Sequence, residues 1–319
     1  MDTKNLKYII KTFVFILLIT LLVDKIVFFV LNTISDQVFT GQSIGKLNHF
    51  LKIKDDVDFI VFGSSRANHN IDPLMISQNS FNMGMDGRKI AYPATLIKLL
   101  PKEKKQIILL QIDTENAFSE NYTGVDIQAL NSKYNRNKII KNEIDKLGQN
   151  NIIQNFYWSL SYNSSVLGIL KNYFKPNYNY KTYFGYDPIY VNENQRKIFK
   201  NILSDEISEK CQQRLAINKI YNSYLDELKL FCEENNKTII FFTSPKFNDT
   251  CKNDNDKLSE IMKTKKLIYY DLTDYFKGNN LLGYWKDKDH LSKEGAELFT
   301  QSIKKKLTNH ILGKEYTFH

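Results

Sequence analysis

Val57-Asp58-Phe59-Ile60-Val61-Phe62-Gly63-Ser64-Ser65-Arg66 is the stretch that decides the fold of this 319-residue chain. It follows Asp55-Asp56, runs apolar and β-branched to Phe62, and stops at a glycine, the pattern of a short buried strand over 57–62. Similar runs recur at 80–83, 107–112, 238–243 and 267–271. Helical patterns lie between them. One covers 87–100, with Pro93 early in it. A second covers 215–232, where Ile217, Ile220, Tyr224, Leu228 and Phe231 form a stripe. A third starts at Ser292 as N-cap and carries Leu298, Phe299, Ile303 and Leu307. Short apolar strands alternating with amphipathic helices predict an α/β fold, a three-layer sandwich around a central parallel sheet. In such sheets the working site lies at the carboxyl ends of the strands, where Ser65 falls.

At the far end of the chain Asp287-Lys288-Asp289-His290 precedes the Ser292 helix. His290 is the one histidine with a carboxylate three residues before it. A serine hydroxyl is a weak nucleophile at neutral pH and needs a base, which in turn needs an orienting carboxylate. The order predicts Ser65 as nucleophile, His290 as base and Asp287 as its orienting partner, with Asp289 ranked second. Asp72-Pro73 reads as a further helix start.

These motifs resemble the SGNH/GDSL hydrolase superfamily. Its first block, Gly-Asp-Ser before a helix, corresponds to Gly63-Ser64-Ser65, with Ser64 in place of the block's Asp. Its second block matches Asn82-Met83-Gly84-Met85-Asp86-Gly87, and its last matches Asp287 to His290 followed by Leu291-Ser292. The third block, Gly-x-Asn-Asp, is not reproduced: Asp113-Thr114-Glu115-Asn116 follows the strand instead. The resemblance covers about 57–116 and 238–310. It implies an SGNH/flavodoxin-like domain over 57–319 and acyl-ester chemistry without metal or other cofactor. It also implies an oxyanion held by the backbone of Ser65 and Gly87, with Asn116 as third donor after a shift of register. Arg66 and His69, flanking the nucleophile, are candidates for binding an anionic substrate; capping and packing the following helix is the competing role.

Residues 12–23 are unbroken apolar sequence, Asp24-Lys25 interrupts it, and 26–31 resumes it. The first run alone rises about 18 Å, short of a roughly 30 Å bilayer core, whereas both together span it. Lys4, Lys7 and Lys11 precede the run and place that end in the cytoplasm by the positive-inside rule. The expectation is a transmembrane anchor at 1–34, a tether with a short helix at 35–56, and the rest of the chain outside the cytoplasm. A cleaved signal peptide competes, but no small-x-small cleavage site follows the apolar run.

Lys and Arg number 44 against 35 Asp and Glu, a net charge of +9. A basic domain outside a membrane suits an anionic polymer or the membrane surface. No nucleic-acid module is present. Cys211, Cys232 and Cys251 are too few and too scattered for a zinc box or a disulfide framework, though one bridge can form.

Between about 117 and 209 the strand–helix alternation breaks into an Asn-, Lys- and Tyr-rich insertion containing Tyr178, Tyr180, Tyr183, Tyr186 and Tyr190. Tyr183 and Tyr186 are the candidates for stacking on sugar rings; packing inside a small helical subdomain is the competing role. Together these readings predict a membrane-anchored serine esterase or O-acyltransferase for short acyl esters of an envelope polysaccharide, working alone or beside a membrane-bound acyltransferase. The alternative is a catalytically degraded glycan-binding or scaffolding relative.

Overall fold

The computed structural model describes residues 3–163, 165–204, 211–279 and 281–312. Its strands are β1 (Phe59–Phe62), β2 (Ser80–Asn82), β3 (Gln106–Gln111), β4 (Lys237–Thr243) and β5 (Ile268–Asp271). They form one parallel sheet in the order β2-β1-β3-β4-β5. The α-helices before β3 are α1 (Thr3–Ser35), α2 (Ile44–Ile53), α3 (Ser65–Asn70) and α4 (Ala91–Ile97). Between β3 and β4 lie α5 (Thr114–Ala117), α6 (Lys138–Lys146), α7 (Ile152–Phe156), α8 (Val166–Phe174), α9 (Glu193–Ser204) and α10 (Lys219–Glu234). The last two are α11 (Lys252–Thr264) and α12 (Lys293–Leu312).

The chain gathers into two compact units. One holds the residues up to His49 together with Gln128–Asn179; the other holds Phe50–Ile127 and the described residues from Tyr180 onward.

The larger unit contains the sheet. Every residue of β1, β2 and β3 is buried, which requires cover on both faces. Alternate side chains Phe59, Val61, Leu109, Ile240 and Phe242 meet Phe299, Ile303 and Leu307 of α12 in one apolar cluster. The intervening Ile60, Phe62, Ile108 and Leu110 are buried as well and point to the opposite face, where Phe62 meets Phe50 edge to face. Strand order reverses between β1 and β3, a switch point beside which open α/β sheets place their sites, at the strands' carboxyl ends.

The predicted strands are all present, with ends moved by one or two residues. The helix expected at 87–100 is shorter, because Pro93 is confined to its first turn and residues 83–90 form a loop. Asp72 caps a 3-10 turn that begins at Pro73, and Ser292 Oγ accepts the Gly295 N–H at 3.3 Å as the cap of α12.

The smaller unit groups 128–179 with the residues up to His49, including the N-terminal helix. The cause is a local apolar cluster of Phe28, Val38, Ile44, Tyr162 and Ile169. Charge pairing adds to it: Asp36 binds Arg136 at 2.7 Å and Lys133 at 3.3 Å. Helix α1 is long and apolar enough to cross a membrane, with mean hydropathy 2.8 in its most apolar window and few buried residues there.

Candidate active site

The turn after β1 is built for close approach. Gly63 has φ +143°, and a Cβ there would lie 2.6 Å from Gln111 Cβ and 2.9 Å from Ala67 Cβ, so only glycine fits. Ser64 then caps α3, its Oγ accepting the Arg66 N–H at 3.3 Å. That makes Ser65 the first residue of the helix. Its N–H has no acceptor within the helix, and its position follows directly on the carboxyl end of β1.

His290 comes from the loop between β5 and α12. Ser65 Oγ lies 2.7 Å from His290 Nε2. On the other side of the ring, Nδ1 is 2.9 Å from Asp287 Oδ1 and 3.1 Å from Oδ2. Asp287 Oδ1 also accepts the N–H groups of Asp289 and His290, at 2.9 and 2.8 Å. Partial burial pushes the Asp287 carboxyl up, but the His290 bond and charge and these N–H donors outweigh it and hold it at about 2. Asp287 is thus an anion throughout the neutral range, as an orienter of imidazole must be. Asp289 points away from the ring: its carboxylate lies 3.7 Å from Arg66 Nη1.

The loop carrying His290 is clamped along its length. Lys286 N–H donates to His290 O at 2.9 Å, Phe247 N–H to Lys288 O at 2.9 Å, and Leu291 N–H to Asn70 Oδ1 at 3.1 Å. Trp285 and Leu291, which bridge across the loop's base, are fully buried.

The other expected site residues have partners of their own. Gly87, with φ +70°, is the third residue of the turn closed by Arg88 N–H to Met85 O, where a positive φ is required, and open space lies on its side-chain side. Its place in the fold is explained by that turn. The Gly84 N–H donates to Asn82 Oδ1 at 2.8 Å. Asn116 on α5 directs its amide toward Asp113, 3.5 Å away. Arg66 is buried and ion-paired with Asp113, so its charge is largely answered inside the protein. Tyr183 is buried, and Tyr186 packs against the sheet's apolar cluster with its hydroxyl inside. Neither ring is a free stacking face. Their segment is pinned at the β2 edge by Asn82 N–H to Phe184 O at 2.8 Å and at the start of α12 by Lys293 N–H to Ile189 O at 2.8 Å.

The structure also adds Gln111, which the sequence reading passed over, and gives His69 its partners. Gln111 ends β3, and its Oε1 accepts both the Ser64 N–H at 3.0 Å and the Ser64 hydroxyl at 2.7 Å. Its Nε2 donates to Asp113 Oδ1 at 2.7 Å. A polar residue closing an otherwise apolar strand was the available signal. His69, one turn after Ser65, meets His290 edge to face with ring centroids 6.0 Å apart. Its Nδ1 faces Asp187 O at 2.5 Å and its Nε2 faces the Asp86 carboxylate at 3.2 Å. Burial lowers its affinity for a proton, but these two acceptors outweigh that and raise its pKa. A second His–Asp pair therefore borders the first. Among the described residues no group of three or more His, Cys, Asp or Glu is arranged to hold a metal ion.

The arrangement can move a proton from a serine hydroxyl to an imidazole backed by a carboxylate. Comparison with protein-family models and with curated proteins finds no match for this chain.

Proposed function

We propose that this chain is a serine ester hydrolase or O-acyltransferase of SGNH type, held in a membrane by α1 with the sheet domain outside the cytoplasm. The observation that carries the reading is the unbroken line from Ser65 Oγ to His290 Nε2 at 2.7 Å and from Nδ1 to Asp287 at 2.9 Å. Ser65 attacks an acyl carbonyl as His290 takes its proton. The tetrahedral oxyanion lies toward the free N–H of Ser65 at the head of α3. His290 then returns the proton to the leaving alcohol, and water or an acceptor hydroxyl releases the acyl group from Ser65.

Polar and charged groups surround the nucleophile: Arg66, His69, Asp86 and Asp289. Such surroundings favour a short acyl group on a hydroxyl-rich partner, such as an acetylated envelope glycan, over a long aliphatic chain. The disulfide between Cys211 and Cys251 supports an oxidising compartment.

A second reading, a non-catalytic glycan-binding relative, draws on Ser64 in place of the first block's Asp and on Asn116, whose amide is directed to Asp113. A fluorophosphonate probe separates the two. Labelling of Ser65, abolished in His290→Ala, supports the enzyme. Absence of labelling, with no turnover of aryl acetates, supports the binding protein. A series of aryl esters then tests the acyl group, and preference for eight carbons or more would replace the short-acyl assignment with a lipase-like one.

A further inference from the structure

Helix α1 changes character along its length. Up to about Leu21 its apolar side chains are bare on every side, as a lipid-facing helix requires. From Asp24 onward one stripe, Asp24, Phe28 and Ser35, is buried. That stripe faces residues 156–169 of the same unit.

The contact settles how a charge pair sits in an apolar helix. Asp24 accepts from Trp158 N–H at 2.8 Å, Ser159 N–H at 3.0 Å and Ser159 Oγ at 2.5 Å. Lys25 pairs with Asp24 at 2.9 Å, donates to Phe156 O and lies over the Trp158 ring. Tyr157 Oη meets Thr20 Oγ1 at 3.0 Å. Residues 156–159 therefore stand at the level of residues 20–25. Counted from the last flanking lysine at position 11, that level is about 14–21 Å along the helix, inside a roughly 30 Å hydrocarbon core.

What α7 presents at this level is apolar. Ile152, Ile153 and Phe156 are 72%, 58% and 60% exposed, and Leu160 beyond them is also exposed. The backbone is provided for: Asn151 Oδ1 accepts the Ile153 N–H, and Tyr157 N–H donates to Ile153 O. Three large apolar side chains on a five-residue helix have no place in water, but beside α1 they continue its lipid-facing surface.

We propose that residues 152–160 form a second membrane contact, an apolar foot that enters the leaflet nearer the carboxyl end of α1, with lipid acyl chains as its occupant. This inference rests on the reading of α1 as a membrane span.

The test uses the full chain in phosphatidylcholine vesicles, spin-labelled singly at Ile153→Cys, with Ile152→Cys as a second site. Phe15→Cys reports on α1, and Lys200→Cys, exposed on α9, is the aqueous reference. Cys232 is buried and Cys211 is bonded to Cys251, so the introduced thiol is the reactive one. The ratio of oxygen to nickel-chelate relaxation at 153 should approach that at 15 and exceed that at 200 several-fold. A water-like ratio at 153 with a lipid-like ratio at 15 overturns the foot and leaves the anchor intact. A water-like ratio at 15 overturns the anchor and the foot together. Shielding of 153 from both reagents, with dipolar broadening that fades on dilution in lipid, assigns the face to a second copy of the chain and overturns lipid as occupant.

Discussion

Asn70 Oδ1 accepts the N–H of Leu291 at 3.1 Å, so the far end of the helix that begins with Ser65 holds the residue next to His290. The same side chain donates from Nδ2 to Ser244 Oγ at 3.0 Å, tying in the exit of β4. One fully buried amide thus joins three loops at the carboxyl end of the sheet. Asn70→Leu should strand buried donors at a cost of about 1–3 kcal/mol and loosen the Ser65–His290 contact. The expected result is a lower unfolding midpoint together with a fall in kcat on an aryl acetate larger than the change in KM. An unchanged kcat would remove Asn70 from the support of the site.

Ser65→Ala and His290→Ala should each lower turnover by about 10³-fold or more, and the double variant little further, because the residues act as a unit. Asp287→Asn should cost less than either, and Asp289→Asn little, since Asp289 faces Arg66 and not the ring. Steady-state kinetics on an aryl acetate reads all four. Equal losses at Asp287 and Asp289 would refute the assignment of the orienting carboxylate.

Gln111→Leu should lower kcat without abolishing it, because Ser64 loses its acceptor while Ser65 and His290 remain. Gln111→Glu keeps an acceptor for both Ser64 donors but sets a carboxylate against Asp113, so it should recover more activity than Leu only at a pH low enough for the pair to hold a proton. If Leu and Glu behave alike at that pH too, the Ser64 contact does not position the nucleophile.

Acid should weaken the fold partly through Asp287. Its folded pKa, about 2, lies below the ordinary value near 4, so its contribution to stability is present above roughly pH 4. That contribution is lost as pH falls toward 2. Urea midpoints between pH 5 and pH 2 should therefore fall less steeply in Asp287→Asn than in the wild type. An identical slope would show that the pairing is absent in solution.

His69 carries the opposite sign. Its pKa is raised, so its contribution is present below roughly pH 6.5 and is lost as pH rises through the folded value. Proton NMR of the imidazole should show His69 titrating above a free histidine, and Asp86→Asn should move it down. A His69 signal that ignores Asp86→Asn would dismiss the second His–Asp pair.

Under denaturing conditions without reductant, protein from an oxidising compartment should expose one alkylatable thiol, Cys232, and three after reduction. Reduction should also lower the unfolding temperature, since the bridge closes a sequence separation of 40 and such links usually contribute about 2–4 kcal/mol. Three reactive thiols before reduction would contradict the bridge.

The sequence by itself determined what short-range rules control. Five strands are legible because a buried strand is a continuous apolar run bounded by polar or turn residues. The Ser292 cap, the Asp72-Pro73 start and the Asp287–His290 pairing are legible because each is settled within three residues. Tertiary structure decided everything that depends on which distant segments meet. Ser65 and His290, 225 residues apart, touch because a parallel sheet puts the exits of β1 and β5 at the same carboxyl end. Gln111 and Asn70 carried weak or no local signal, since an amide's partners are fixed only when another loop arrives. Tyr183 looked like a surface ring because its neighbours are Asn and Lys, yet the pinning of its segment at the β2 edge buries it. The union of 128–179 with α1 was equally invisible: an aspartate inside an apolar helix is a liability in one dimension, and only folding supplies the two N–H groups and the hydroxyl that satisfy it.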